Sequence, residues 1–76
     1  MKIQILGTGC PKCKQLEANA RAALEEMGLE CEVEKISDIN EIMTFGIMMT
    51  PGLAVDGEVK AAGELLSVDE IKSLLS

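Results

Sequence analysis

Apolar and polar residues alternate near the amino end of the chain: Ile3 and Ile5 sit between Lys2, Gln4 and Leu6, and the run enters Gly7-Thr8-Gly9. A period of two is that of a strand, here over residues 2–6, and the glycines mark a permissive loop after it. The period then changes. Over residues 14–27, Leu16, Ala20, Ala23, Leu24 and Met27 recur at helical spacing, with Lys14, Gln15, Glu17, Asn19, Arg21 and Glu25 mostly off that stripe. Gly28 supplies the stop expected of such a helix. Residues 29–34, Leu-Glu-Cys-Glu-Val-Glu, return to strict alternation and predict a second strand with an acidic, solvent-facing side.

Asp38 followed by Glu41 has the form of a helix-capping box around Ile39, Ile42 and Met43, in a helix that fades near Gly46. Thr50-Pro51 breaks the pattern, because proline biases the residue before it toward extended backbone. Residues 53–55 and 59–61 flank Asp56-Gly57, which supplies the positive φ angles of a tight type I′ hairpin. Ser67 with Glu70 makes another capping box, and Val68, Ile71, Leu74 and Leu75 form the stripe of a last helix. The order β-α-β-α-β-β-α predicts an α/β fold, one domain over residues 1–76, with a four-stranded mixed sheet covered by three helices. The first strand, long helix and second strand form a parallel, right-handed crossover. Chemistry is expected where the first strand hands over to the helix, as in open α/β sheets generally.

Composition narrows the chemistry. The chain has 76 residues, 47% of them hydrophobic, with Phe45 its only aromatic side chain and no Trp, Tyr or His. Without histidine there is no Cys-His or Ser-His-Asp nucleophile pair and no His-containing zinc site. Seven basic against thirteen acidic residues give a net charge of −6, which disfavours nucleic acid and anionic membrane surfaces as partners. No apolar stretch approaches the ~20 residues of a bilayer span. The first residues lack the apolar core of a signal peptide, so a cytoplasmic location is expected.

Three cysteines are an odd number for a disulfide scaffold, and two of them form Cys10-Pro11-Lys12-Cys13. The motif straddles the predicted strand-to-helix junction. Cys10 falls at the helix start and Cys13 about one turn inside, an offset that brings both sulfurs to one side and suits a disulfide. Pro11 fits an early helical position, where no N–H partner is needed. The positive end of the helix dipole and its unpaired N–H groups stabilise a Cys10 thiolate, and Lys12 adds to that. The implied cycle is attack by Cys10 on a substrate disulfide, followed by resolution of the mixed disulfide by Cys13. Taken alone, such a pair leaves redox chemistry, metal binding and coincidence all open.

Its setting adds a resemblance. Gly7-Thr8-Gly9-Cys10-Pro11-Lys12-Cys13, then Phe45-Gly46-Ile47, then Thr50-Pro51-Gly52-Leu53-Ala54-Val55-Asp56-Gly57, then Gly63 together resemble the small prokaryotic thioredoxin-like proteins of glutaredoxin size, a group also labelled redox-active disulfide protein 2. The resemblance spans essentially the whole chain and implies a minimal thioredoxin fold. It implies a protein disulfide oxidoreductase with Cys10 as nucleophile and Cys13 as resolving cysteine. Pro51 would follow a cis bond, with Thr50 and Pro51 offering backbone groups to a bound peptide and Pro11 and Lys12 supporting the site. No bound cofactor or metal is implied. Electrons would come from an NADPH-dependent partner of the thioredoxin-reductase type, substrates would be disulfide-containing proteins, and the chain would act as a monomer. No tryptophan precedes Cys10, and Pro11-Lys12 replaces the Gly-Pro of thioredoxins proper. Lys12 also stands where glutaredoxins usually carry an aromatic residue, and the acidic balance gives little attraction for anionic glutathione.

The same pair could instead carry Cu(I) or Zn(II), since Gly-Thr-Gly-Cys-x-x-Cys at a strand-to-helix loop also occurs in soft-metal carriers. Those typically run β-α-β-β-α-β. A non-enzymatic interaction module is a third possibility, opposed by the presence of both cysteines. Cys31, on the apolar side of its strand, is expected to be a small buried core residue, and Met48 and Met49 are expected to pack into core or loop rather than line a substrate patch. Glu30, Glu32 and Glu34 read as a solvated edge.

Overall fold

The computed structural model describes residues 2–9 and 11–75. Its elements are β1 (Lys2–Leu6), α1 (Pro11–Met27), β2 (Glu32–Ile36), α2 (Ile39–Thr44), β3 (Gly52–Val55), β4 (Glu58–Ala62) and α3 (Val68–Leu75), in the expected order. The sheet runs β2-β1-β3-β4, with β1 parallel to β2 and the pairs β1–β3 and β3–β4 antiparallel. This mixed four-stranded sheet with three helices is the minimal thioredoxin fold.

Alternation on β1 divides the apolar residues between two faces. Ile3 and Ile5 point into the larger core with Leu16, Ala20, Ala23 and Leu24 of α1, Leu53 of β3, and Leu66 and Ile71 around α3. Leu6 points the other way, into a smaller core with Ile36, Ile42, Ile47 and Ala54 against which Phe45 and Val59 pack. The helical stripe read from the sequence is the buried face of α1, and it continues one turn earlier to Cys13. Small Ala20 and Ala23 let α1 approach the sheet closely. Asn19 Nδ2 donates to Leu66 O at 2.8 Å, tying α1 to the segment that leads into α3. The α3 capping box is complete: Glu70 N–H donates to Ser67 Oγ at 3.2 Å, and Ser67 N–H to Glu70 Oε1 at 3.1 Å.

β2 begins later than the alternation of residues 29–34 suggests, because Leu29 belongs to the end of α1. Gly28, at φ 67°, donates to Glu25 O, and Leu29 N–H reaches back to Leu24 O at 3.0 Å. That bonding pair is the Schellman cap, which satisfies carbonyls at the helix end and holds Leu29 beside Leu24. Strand pairing then starts at Glu32 opposite Lys2 and ends with Ile36 opposite Leu6. Glu32 stays exposed on this sheet edge, and Glu34 makes a 3.2 Å ion pair with Lys2.

The hairpin turn has the expected geometry, with φ of 52° at Asp56 and 85° at Gly57. It is also stitched to β1: Asp56 N–H donates to Lys2 O, Lys2 N–H to Asp56 Oδ1, and Gly57 N–H to Gln4 Oε1, all at 2.8–2.9 Å. β4 carries an irregularity, since Leu53 pairs with Ala61 but Ala54 with Val59, leaving Lys60 as an extra residue. Asp38 caps α2 by accepting from Asn40 N–H at 2.8 Å rather than from Glu41. The α2 stripe is only partly used. Ile42 enters the smaller core while Ile39 and Met43 remain exposed, because a six-residue helix turns one position toward so narrow a core.

Candidate functional site

The end of the sheet where β1 finishes gathers most of the residues singled out in the sequence. The last ladder positions there are Leu6 opposite Ile36 on one side and opposite Gly52 on the other. Gly7 and Ser37 therefore leave the sheet together, and Pro51 enters beside them. Gly7 N–H donates to Ile36 O at 2.9 Å, extending the parallel ladder by one bond, and Gly63 N–H donates to Pro51 O at 2.8 Å. The Thr50–Pro51 peptide is cis, Pro51 is buried and Thr50 is exposed.

Pro11 is the first residue of α1, where its missing N–H costs no helical bond, and it and Lys12 are exposed. Cys13, two residues on, is only 5% exposed. Its side chain lies against the backbone of Gly7, so close that a Cβ added at Gly7 would overlap Sγ and stand 3.0 Å from the Cys13 Cβ. Cys10, expected from the sequence to be the nucleophile, lies outside the described residues. On its β2 side Cys13 borders a cleft of about 250 Å³ whose walls include Gly7, Thr8, Glu17, Lys35 and Ser37.

A family model described as a thioredoxin domain matches residues 1–76. A protein named thioredoxin from Methanothermobacter thermautotrophicus is 53% identical over 76 residues, which cover 100% of this chain and 99% of that relative. Another protein named thioredoxin, from Methanocaldococcus jannaschii, is 45% identical over 73 residues, 96% of this chain and 84% of the relative. The chain belongs to the thioredoxin family.

This thioredoxin-family chain departs from the expectation at Met48. Met48 is 99% exposed just ahead of Thr50-Pro51, whereas Met49, 65% exposed, packs within the loop as expected. The cause is local: Met49 lies across Gly63, where an added Cβ would stand 3.0 Å from the Met49 Cβ, and this leaves Met48 projecting from the loop. Cys31 packs against the larger core but is half-buried, because residue 31 precedes the first paired position of β2. Among the described residues no helix is long and apolar enough to cross a membrane.

Two features of the site escaped the sequence. One is the contact of Cys13 with Gly7, since a glycine after a strand signals a turn whether or not a sulfur lies over it. The other is the Glu17 carboxylate on the cleft wall. Arg21 Nε and Nη2 donate to its Oε2 at 3.0 and 2.9 Å, and Lys35 Nζ lies 3.4 Å from Oε1, so the carboxylate joins α1 to β2. The i to i+4 spacing of Glu17 and Arg21 was available as a signal; the reach to Lys35 depends on the crossover.

The Arg21 hydrogen bonds, helped by Lys35 and opposed by burial, hold the Glu17 carboxyl below its usual range. A depressed carboxyl contributes stability that is present above its unfolded-state pKa and lost as pH falls through the folded one. Glu17→Gln is therefore expected to lower stability by about 0.5 kcal/mol at neutral pH and by almost nothing in acid below the lowered folded-state pKa, where the carboxyl is protonated in both states. Urea midpoints at the two pH values measure this; an equal loss at both would mean that packing rather than charge is responsible.

Proposed function

We propose that this chain is a thiol-disulfide oxidoreductase that reduces protein disulfides through a dithiol/disulfide cycle at Cys10-Pro11-Lys12-Cys13. Membership of the thioredoxin family supports the redox class. The single observation that carries the finer reading is the seat of Cys13, a nearly buried thiol in the first turn of α1, fitted against Gly7 at the end of the sheet where Pro51 enters.

In this cycle the Cys10 thiolate attacks one sulfur of a substrate disulfide, the other substrate sulfur leaves as a thiolate, and a mixed disulfide forms. Cys13 then attacks Cys10, closing the Cys10–Cys13 disulfide and releasing the second substrate thiol. Burial keeps Cys13 from competing as the first nucleophile, while a three-residue offset keeps it within reach of Cys10. The exposed Met48 and Met49 offer a pliant apolar surface beside Thr50-Pro51 for a substrate segment. Two electrons from an NADPH-dependent partner of the thioredoxin-reductase type reset the pair. The chain acts as a monomer in the cytoplasm, with disulfide-containing proteins as substrates and neither nucleic acid nor membrane as a partner.

Equilibration of the wild-type protein against a dithiol buffer of graded potential, with thiol counting, tests this. The count is expected to fall from three to one in a single two-electron step, and the reduced form should speed dithiol-driven reduction of a model protein disulfide. A count that stays at three at every potential, or purification with stoichiometric tightly held copper or zinc, would overturn the reading.

A further inference from the structure

Gly7 and Gly9 flank the same threonine but answer different needs. Gly9 has φ 90° and open space where a Cβ would stand, so its role is conformational. Gly7 is absent from the positive-φ residues, and the place of its missing side chain is filled by the Cys13 sulfur. Backbone recoil is blocked on one side, because Gly7 N–H is bonded to Ile36 O in continuation of the β1–β2 ladder. On the other side Cys13 sits on the buried stripe of α1, one turn ahead of Leu16, which is wholly buried in the larger core. The sulfur is therefore caught between a fixed strand end and a fixed helix.

We propose that Gly7 is a positioning residue for the resolving step, and that its lack of a side chain sets the depth and direction of Cys13 Sγ. The proposal rests on the dithiol cycle above. In that step the Cys13 thiol loses its proton and attacks the Cys10 sulfur of the mixed disulfide. The Cys10–Cys13 bond forms, the Cys10–substrate bond breaks, and the substrate leaves as a thiolate that takes up a proton, so no external oxidant or reductant is consumed. Attack needs the three sulfurs close to a line, which makes this step sensitive to where Sγ rests. A methyl group at position 7 occupies that place and turns the Cys13 side chain off it. The first attack, which uses Cys10 alone, does not depend on this contact.

Gly7→Ala tests the assignment when the two steps are timed separately by acid quench and mass analysis. Attack by Cys10 is expected within about twofold of wild type, while resolution slows by roughly tenfold or more and the mixed disulfide accumulates. Equal slowing of both steps, or unchanged resolution, would overturn it.

A stability cycle covers the case in which Gly7→Ala folds poorly. Gly7→Ala is expected to lower the melting temperature clearly in the wild-type background and much less in Cys13→Ala, where the sulfur is gone. The same loss in both backgrounds would show that something other than Sγ fills the space and would also overturn the proposal. This cycle requires no turnover, so it separates failure of the Gly7 assignment from failure of the oxidoreductase reading, which the wild-type thiol titration detects.

Discussion

Cys10→Ser is expected to bring dithiol-driven reduction of a model protein disulfide down to the uncatalysed rate, whereas Cys13→Ser still attacks but stops at the mixed disulfide. The asymmetry follows from the chemistry. A serine hydroxyl is essentially un-ionised at neutral pH and oxygen does not take part in thiol-disulfide exchange, so no first step remains without Cys10. With Cys10 intact and Cys13 replaced, the first step proceeds and the covalent complex persists until an external thiol releases it. The loss in turnover is on the order of a thousandfold or more for Cys10→Ser, as is typical when a covalent nucleophile is removed. Cys31 does not substitute for either, being half-buried against the larger core and placed before β2 among acidic neighbours. The assay is reduction of the protein disulfide together with non-reducing electrophoresis of the trapped species. Retention of turnover by Cys10→Ser would reverse the roles of the two cysteines or remove the pair from the chemistry.

Leu53→Ala is expected to have the largest effect on stability. Leu53 is fully buried on β3, opposite Ile5 of β1 and Ala61 of β4, and contributes to the core shared with α1 and α3. Truncation removes the transfer energy of three carbons and leaves a cavity that two flanking strands and a packed helix cannot easily close. The expected cost is about 3 kcal/mol, within the range for buried leucines. For a domain of this size that corresponds to a fall in melting temperature of roughly 12–24 °C. Thermal or urea unfolding followed by circular dichroism measures it, and a loss below about 1 kcal/mol would mean that the core collapses around the site.

Much of the fold was legible because local signals and tertiary packing agree. The α1 stripe, the Asp56-Gly57 turn and the Ser67/Glu70 box each appear in the structure with the geometry that their residues demand. The start of β2 was not legible. Leu29 and Cys31 continue the alternation of Val33, yet the Schellman cap claims Leu29 for the helix, and a period-two pattern carries no mark of that competition. α2 illustrates the same limit: Ile39, Ile42 and Met43 have helical spacing, but only a core of limited width decides that one of them is buried. At the candidate site the motif Cys10-Pro11-Lys12-Cys13 and Thr50-Pro51 could be read directly. The seat of Cys13 on Gly7 and the meeting of Glu17 with Lys35 could not, since both are made by the β1-α1-β2 crossover and join residues six and eighteen positions apart.

The extra residue in β4 bears on how such a small protein can leave strand margins open. A foreign strand aligned along β4 would meet donors and acceptors put out of step at Lys60, with the local twist increased there. Along β2 it would meet the carboxylates of Glu32 and Glu34. Neither margin is therefore a template for fibril growth, and a sheet with two unpaired borders can remain dispersed when the chain is abundant.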